Sequence, residues 1–66
     1  MELVVNGAAR VFQGPLNLLQ LLDVLELKPD RTAIELNRQL VPRANWPLAM
    51  LEDGDELEIV QFVGGG

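Results

Sequence analysis

The residues with the most distinctive chemistry are the last four, Val63-Gly64-Gly65-Gly66. Glycine has no Cβ to pack and loses more backbone entropy on ordering than any other residue. Three in a row at the end of the chain leave an unhindered carboxylate on a bare tether. Folding does not ask for them, because a strand carrying Leu57, Ile59, Val60, Phe62 and Val63 is complete without them. In one reading the arm enters a narrow channel of another protein, where the terminal carboxylate is activated and transferred. Four extended residues reach about 13 Å at roughly 3.3 Å each, enough to enter a buried active site while the body stays outside. In the plain structural alternative, the glycines are a loose end or a linker remnant.

Other chemistry is scarce. The 66 residues include no cysteine and no histidine, which removes disulfides, structural zinc, thiol nucleophiles and the usual general base. Serine and tyrosine are missing too, so Thr32 carries the only side-chain hydroxyl. Glu52, Asp53, Asp55 and Glu56 crowd one short stretch, but the 12-residue ligand spacing of a calcium loop is absent. They read as a solvated turn, and no metal site is expected. A net charge of -5 with five scattered basic residues argues against a nucleic-acid grip, which needs clustered cations. A basic or mixed-charge protein surface fits better as a partner. No apolar run approaches the roughly 20 residues needed to cross a bilayer; the expected compartment is the cytoplasm.

The elements that must hold the arm follow from pattern. Met1, Leu3 and Val5 alternate with Glu2 and Val4, which predicts a half-buried strand. Asn6-Gly7 is a type I′ hairpin turn, returning through a second strand over Ala8 to Phe12. Asn17 and Gln20 form a capping box ahead of a helix, with Leu16 placed to staple onto Leu21. Leu18, Leu21, Leu22 and Leu25 fall on one helical stripe, and Lys28-Pro29-Asp30 is expected to end the helix after about three turns. Thr32 to Leu36, Gln39 to Val41 and Glu56 to Phe62 read as strands. Asn37-Arg38 is a turn, and Pro42 to Pro47 an irregular or 3₁₀ turn. Trp46 either closes one end of the core there or stands exposed as a binding aromatic.

The order strand, strand, helix, strand, strand, strand closes most simply with the first and last strands parallel and central. The expected fold is α+β, a β-grasp (ubiquitin-like) domain with a mixed sheet and one main helix packed on one face. Residues 1–62 form the single domain, and residues 63–66 a flexible tail. If Leu3, Val5, Leu57 and Ile59 face the helix, then Val4, Val60 and Phe62 point to the uncovered face as an apolar partner-docking patch.

The run Ala33-Ile34-Glu35-Leu36-Asn37, then Leu40-Val41-Pro42-Arg43, Trp46, Asp53-Gly54-Asp55 and the terminal Gly65-Gly66 resembles the ThiS family of sulfur carriers in thiamin biosynthesis. The resemblance spans nearly the whole chain. It implies a carrier, not an enzyme. The Gly66 carboxylate would be adenylated by a partner resembling ubiquitin-activating enzymes, which uses MgATP, so this chain binds no cofactor. A cysteine desulfurase or another persulfide donor would then supply sulfur to give a thiocarboxylate, and thiazole synthase would consume it. Gly64 and Gly65 would thread the partner's channel. Carriers resembling the small subunit of molybdopterin synthase, carriers for other metabolites, conjugating tags and a plain β-grasp interaction module remain alternatives.

Overall fold

The computed structural model describes residues 1–63, and every predicted element is present. Strands β1 (Glu2–Val5), β2 (Ala8–Val11), β3 (Thr32–Leu36), β4 (Gln39–Leu40) and β5 (Glu56–Gln61) form one mixed sheet, in the order β2-β1-β5-β3-β4. Strands β1 and β5 are parallel, and the other pairs antiparallel. The first and last strands therefore meet near the middle of the sheet. Asn6 and Gly7 both have positive φ, 51° and 83°, as a type I′ turn requires. Asn37 and Arg38 repeat the pattern, at 50° and 71°, between β3 and β4.

Helix α1 (Leu18–Val24) starts as its sequence says. The Gln20 N–H donates to Asn17 Oδ1 at 2.7 Å, and the Asn17 N–H donates to Gln20 Oε1 at 2.9 Å. Leu18, Leu21 and Leu22 are fully buried in one cluster with Leu3, Val5, Ile34, Trp46, Leu57 and Ile59. Burying these three leucines contributes on the order of 5 to 9 kcal/mol before entropy is counted. Leu16 and Leu25 pack against that cluster half-buried.

The end of the helix differs from expectation. It stops at Val24 after about two turns, well before Pro29. Glu26 adopts φ 61°, the Glu26 N–H donates to Asp23 O at 3.1 Å, and the Leu27 N–H donates to Leu22 O at 2.9 Å. These are the two bonds of a Schellman motif, with half-buried Leu27 packed on the core behind it. A glycine usually marks that left-handed position; here a glutamate occupies it, which hid the stop. Glu26→Gly is expected to relieve the left-handed strain and stabilise the domain by up to about 1 kcal/mol. At this chain length that raises Tm by roughly 4 to 8 °C; a thermal melt showing no rise would remove strain at Glu26 from the account.

Past the helix, a 3₁₀ turn over Pro29–Arg31 leads into β3 and a second over Arg43–Leu48 carries Trp46. The second covers one end of the core. Trp46 is 1% exposed and its Nε1–H donates to Val41 O at 2.9 Å. It is a core closure, not an exposed binding aromatic.

Candidate functional site

The site is built around the end of β5. Leu57 and Ile59 point inward and are buried, while Glu58, Val60 and Phe62 alternate outward. After β5 the backbone stays attached on the β3 side, where the Phe62 N–H donates to Arg31 O at 2.8 Å. Val63, the next residue, is 94% exposed. The strand thus delivers the chain to solvent at one end of the sheet. Gly64, Gly65 and Gly66, which carry the proposed attachment point and channel arm, lie outside the described residues.

The three residues expected to share an apolar face do not sit together. Val60 and Phe62 are more than half exposed, at 55% and 58%. Val60 lies opposite Ala33, and Phe62 borders a shallow hollow of about 310 Å³ with Ala33, Leu40, Pro42 and Arg43. Leu40, also exposed, pairs with Glu35 and so projects from the same face. Val4, by contrast, is half-buried and lies opposite Glu56. Glu56 precedes Val60 by four residues, about 13 Å along an extended strand, with Glu58 between them on the same face. The uncovered face is therefore apolar near the tail and acidic toward Val4. Alternation along each strand assigned the face correctly, but the β1–β5 register that separates the two ends is a tertiary property.

Leu40 was missing from the expected patch. Its signal was the alternation within Gln39-Leu40-Val41, too short to orient without knowing β4's pairing.

The other candidate groups serve the scaffold. Thr32, the sole hydroxyl, is buried and donates from Oγ1 to Lys28 O at 2.7 Å. In the acidic turn, Asp53 Oδ1 accepts from the Glu2 N–H at 2.6 Å, and Asp55 Oδ2 accepts from the Glu52 N–H at 2.8 Å. Among the described residues no group of three or more His, Cys, Asp or Glu is arranged to hold a metal ion. No helix among the described residues is long and apolar enough to cross a membrane. Asn37 ties the second hairpin to this turn, with its Nδ2 donating to Asp55 Oδ1 and its Oδ1 accepting from the Glu56 N–H, both at 3.0 Å. Asn37, Trp46 and Asp55, all part of the sequence resemblance, thus hold loops in place.

A five-stranded mixed sheet with one main helix, whose last central strand runs out to an exposed end, defines a β-grasp domain of the ubiquitin-like kind. The whole chain superposes on the crystal structure of the thiamine biosynthesis protein ThiS from Geobacter metallireducens with a TM-score of 0.85, at 33% identity and full coverage of both chains. The family model for the ThiS family matches residues 3–66. The chain belongs to the ThiS family. It is 29% identical to the sulfur carrier protein ThiS of Escherichia coli, covering all of both chains. It is also 39% identical over its 66 residues to a thiazole synthase of Paramagnetospirillum magneticum, of whose length it spans 20%.

Proposed function

We propose that this protein carries sulfur on its C-terminal glycine for thiazole formation in thiamin biosynthesis. The observation that carries the reading is the exposed run-out of β5 at Val63, in a chain the family model matches through Gly66. A carboxylate is a poor electrophile until one oxygen becomes a leaving group, and glycine leaves the carbonyl carbon open to attack. An adenylating partner supplies MgATP: the Gly66 carboxylate attacks the α-phosphorus, pyrophosphate leaves, and an acyl-adenylate results. Persulfide sulfur from a cysteine desulfurase or another donor then displaces AMP. A thiol splits the sulfur–sulfur bond, and the thiocarboxylate remains.

The body does not catalyse these steps; it docks. Ordering the glycine arm costs roughly 1 to 2 kcal/mol per residue, so the folded face must supply the binding energy. Val60 and Phe62, with Leu40 beside them, are the apolar surface nearest the arm. Thiazole synthase as the sulfur acceptor is supported by relatives of that name, from Paramagnetospirillum magneticum and Magnetococcus marinus, which contain a segment similar to this entire chain within a much longer polypeptide. Because MgATP is required, the cytoplasm is the compartment this reading implies.

Intact-mass spectrometry after incubation with MgATP, an activating enzyme and a persulfide donor tests the reading. Replacement of one oxygen by sulfur, mapped to Gly66, is the expected result; an unchanged mass with an enzyme active on its own carrier would leave only an interaction module. The docking face has its own test. Val60→Asp changes an exposed side chain, so stability should stay within about 0.5 kcal/mol while affinity for the activating enzyme falls about tenfold. Wild-type affinity at full stability would remove Val60 from the interface.

A further inference from the structure

Strand β5 is held along its inner edge by β1 only as far as the hairpin turn. The Val4 N–H donates to Asp55 O at 2.9 Å and the Asn6 N–H to Leu57 O at 2.8 Å. The turn at Asn6-Gly7 then takes the chain away, so no β1 residue remains to meet Ile59. The Asn6 side chain does so instead. Its Oδ1 accepts from the Ile59 N–H at 2.7 Å, and its Nδ2 donates to Ile59 O at 3.1 Å. One primary amide thus presents to β5 the donor and acceptor that the next β1 peptide would have presented. Beyond it, among the described residues, Phe62 is bonded from the β3 side alone. Among the described residues, Ile59 is therefore the last point at which β5 is gripped from both sides.

We propose that Asn6 is a positioning residue for the C-terminal arm: by standing in for a missing strand residue at Ile59, it fixes the direction in which β5 delivers the arm to the activating partner. The proposal rests on the reading of Gly66 as the loaded group. An arm whose root is already extended loses less freedom on entering a channel than one whose root can swing, and preorganisation of that kind appears in binding. Asn6 touches none of the reacting atoms, so it should not alter the chemical step.

The fold contains its own control. Asn37 occupies the same position of the other hairpin turn, also at positive φ, and also bonds to the β5 side with both amide atoms, but at Asp55 and Glu56. That is the opposite end of β5 from the arm. Asn6→Gly and Asn37→Gly each keep a residue suited to positive φ and delete a bridging amide, so their costs in Tm should be similar. Only Asn6→Gly is expected to raise the activating enzyme's KM for the carrier. A rise of about tenfold with kcat unchanged is within what two ordinary hydrogen bonds supply. It should also speed hydrogen exchange at the Ile59 and Phe62 amides at least about tenfold, which Asn37→Gly leaves at the wild-type rate.

Equal KM values for the two variants, or wild-type exchange at Phe62 in Asn6→Gly, would overturn the proposal and leave Asn6 a turn residue only. Should Asn6→Gly fail to fold, Asn6→Asp keeps an acceptor for the Ile59 N–H and loses the donor to Ile59 O. It should then show the same ordering against Asn37→Asp with a smaller rise in KM, and equal KM values would overturn the proposal here too. If wild-type protein gains no sulfur, the carrier reading fails by itself, and the exchange measurement alone decides whether Asn6 braces the arm's root.

Discussion

Deletion of Gly66 should leave the melting curve unchanged and lower sulfur loading at least about 100-fold. Among the described residues the core cluster ends at Ile59, and Val63 is already 94% exposed. The shortened chain still ends in a glycine carboxylate, so its chemistry is intact. What changes is position, because the carboxylate now falls about 3.3 to 3.6 Å short along an extended arm. Adenylation requires the attacking oxygen within about 3 to 3.5 Å of phosphorus, and a misplacement of about 1 Å can cost on the order of 100-fold. Intact mass and a thermal melt on the same sample read both halves. Wild-type loading of the shortened chain would show that arm length is not measured by the partner, which the channel reading forbids.

Trp46→Ala carries the largest expected loss of stability. Removing a buried tryptophan costs about 3 to 5 kcal/mol, and here the change also leaves Val41 O without the indole N–H that bonds it. A domain of this size has only about 3 to 10 kcal/mol in total at 0.05 to 0.15 kcal/mol per residue. The variant should lose at least about 15 °C in Tm or be unfolded at 25 °C, as followed by circular dichroism. Trp46→Phe should fall between it and wild type. A loss below about 5 °C for Trp46→Ala would mean that the 3₁₀ segment Arg43–Leu48 is not the lid of the core.

Several features of the site were legible because they are local. The Asn6-Gly7 turn, the Asn17/Gln20 capping box and the leucine stripe each follow from the preferences of residues within one or two turns of each other. The strand order followed from the alternation of elements and the rule that crossovers are right-handed. The length of the helix was not legible, since Glu26 in a left-handed conformation has no compositional mark and is held there by the Leu27 N–H reaching back to Leu22 O. The apolar patch was half legible for a related reason. Alternation says which face a side chain takes but not which residue of a neighbouring strand stands beside it.

By itself the sequence determined a small β-grasp domain and the kinds of chemistry its side chains lack, because hydrophobic periodicity, turn chemistry and the absence of cysteine, histidine and serine are properties of the chain alone. Only the tertiary structure decided that Trp46 is a closure, that Val4 belongs to the acidic end of the sheet while Leu40 and Phe62 belong near the arm, and that Asn6 grips Ile59. Each of these depends on register or on contacts between residues far apart in sequence, 53 positions in the case of Asn6 and Ile59. Such pairings are set when the strands and the helix share one buried face, and no local preference specifies them.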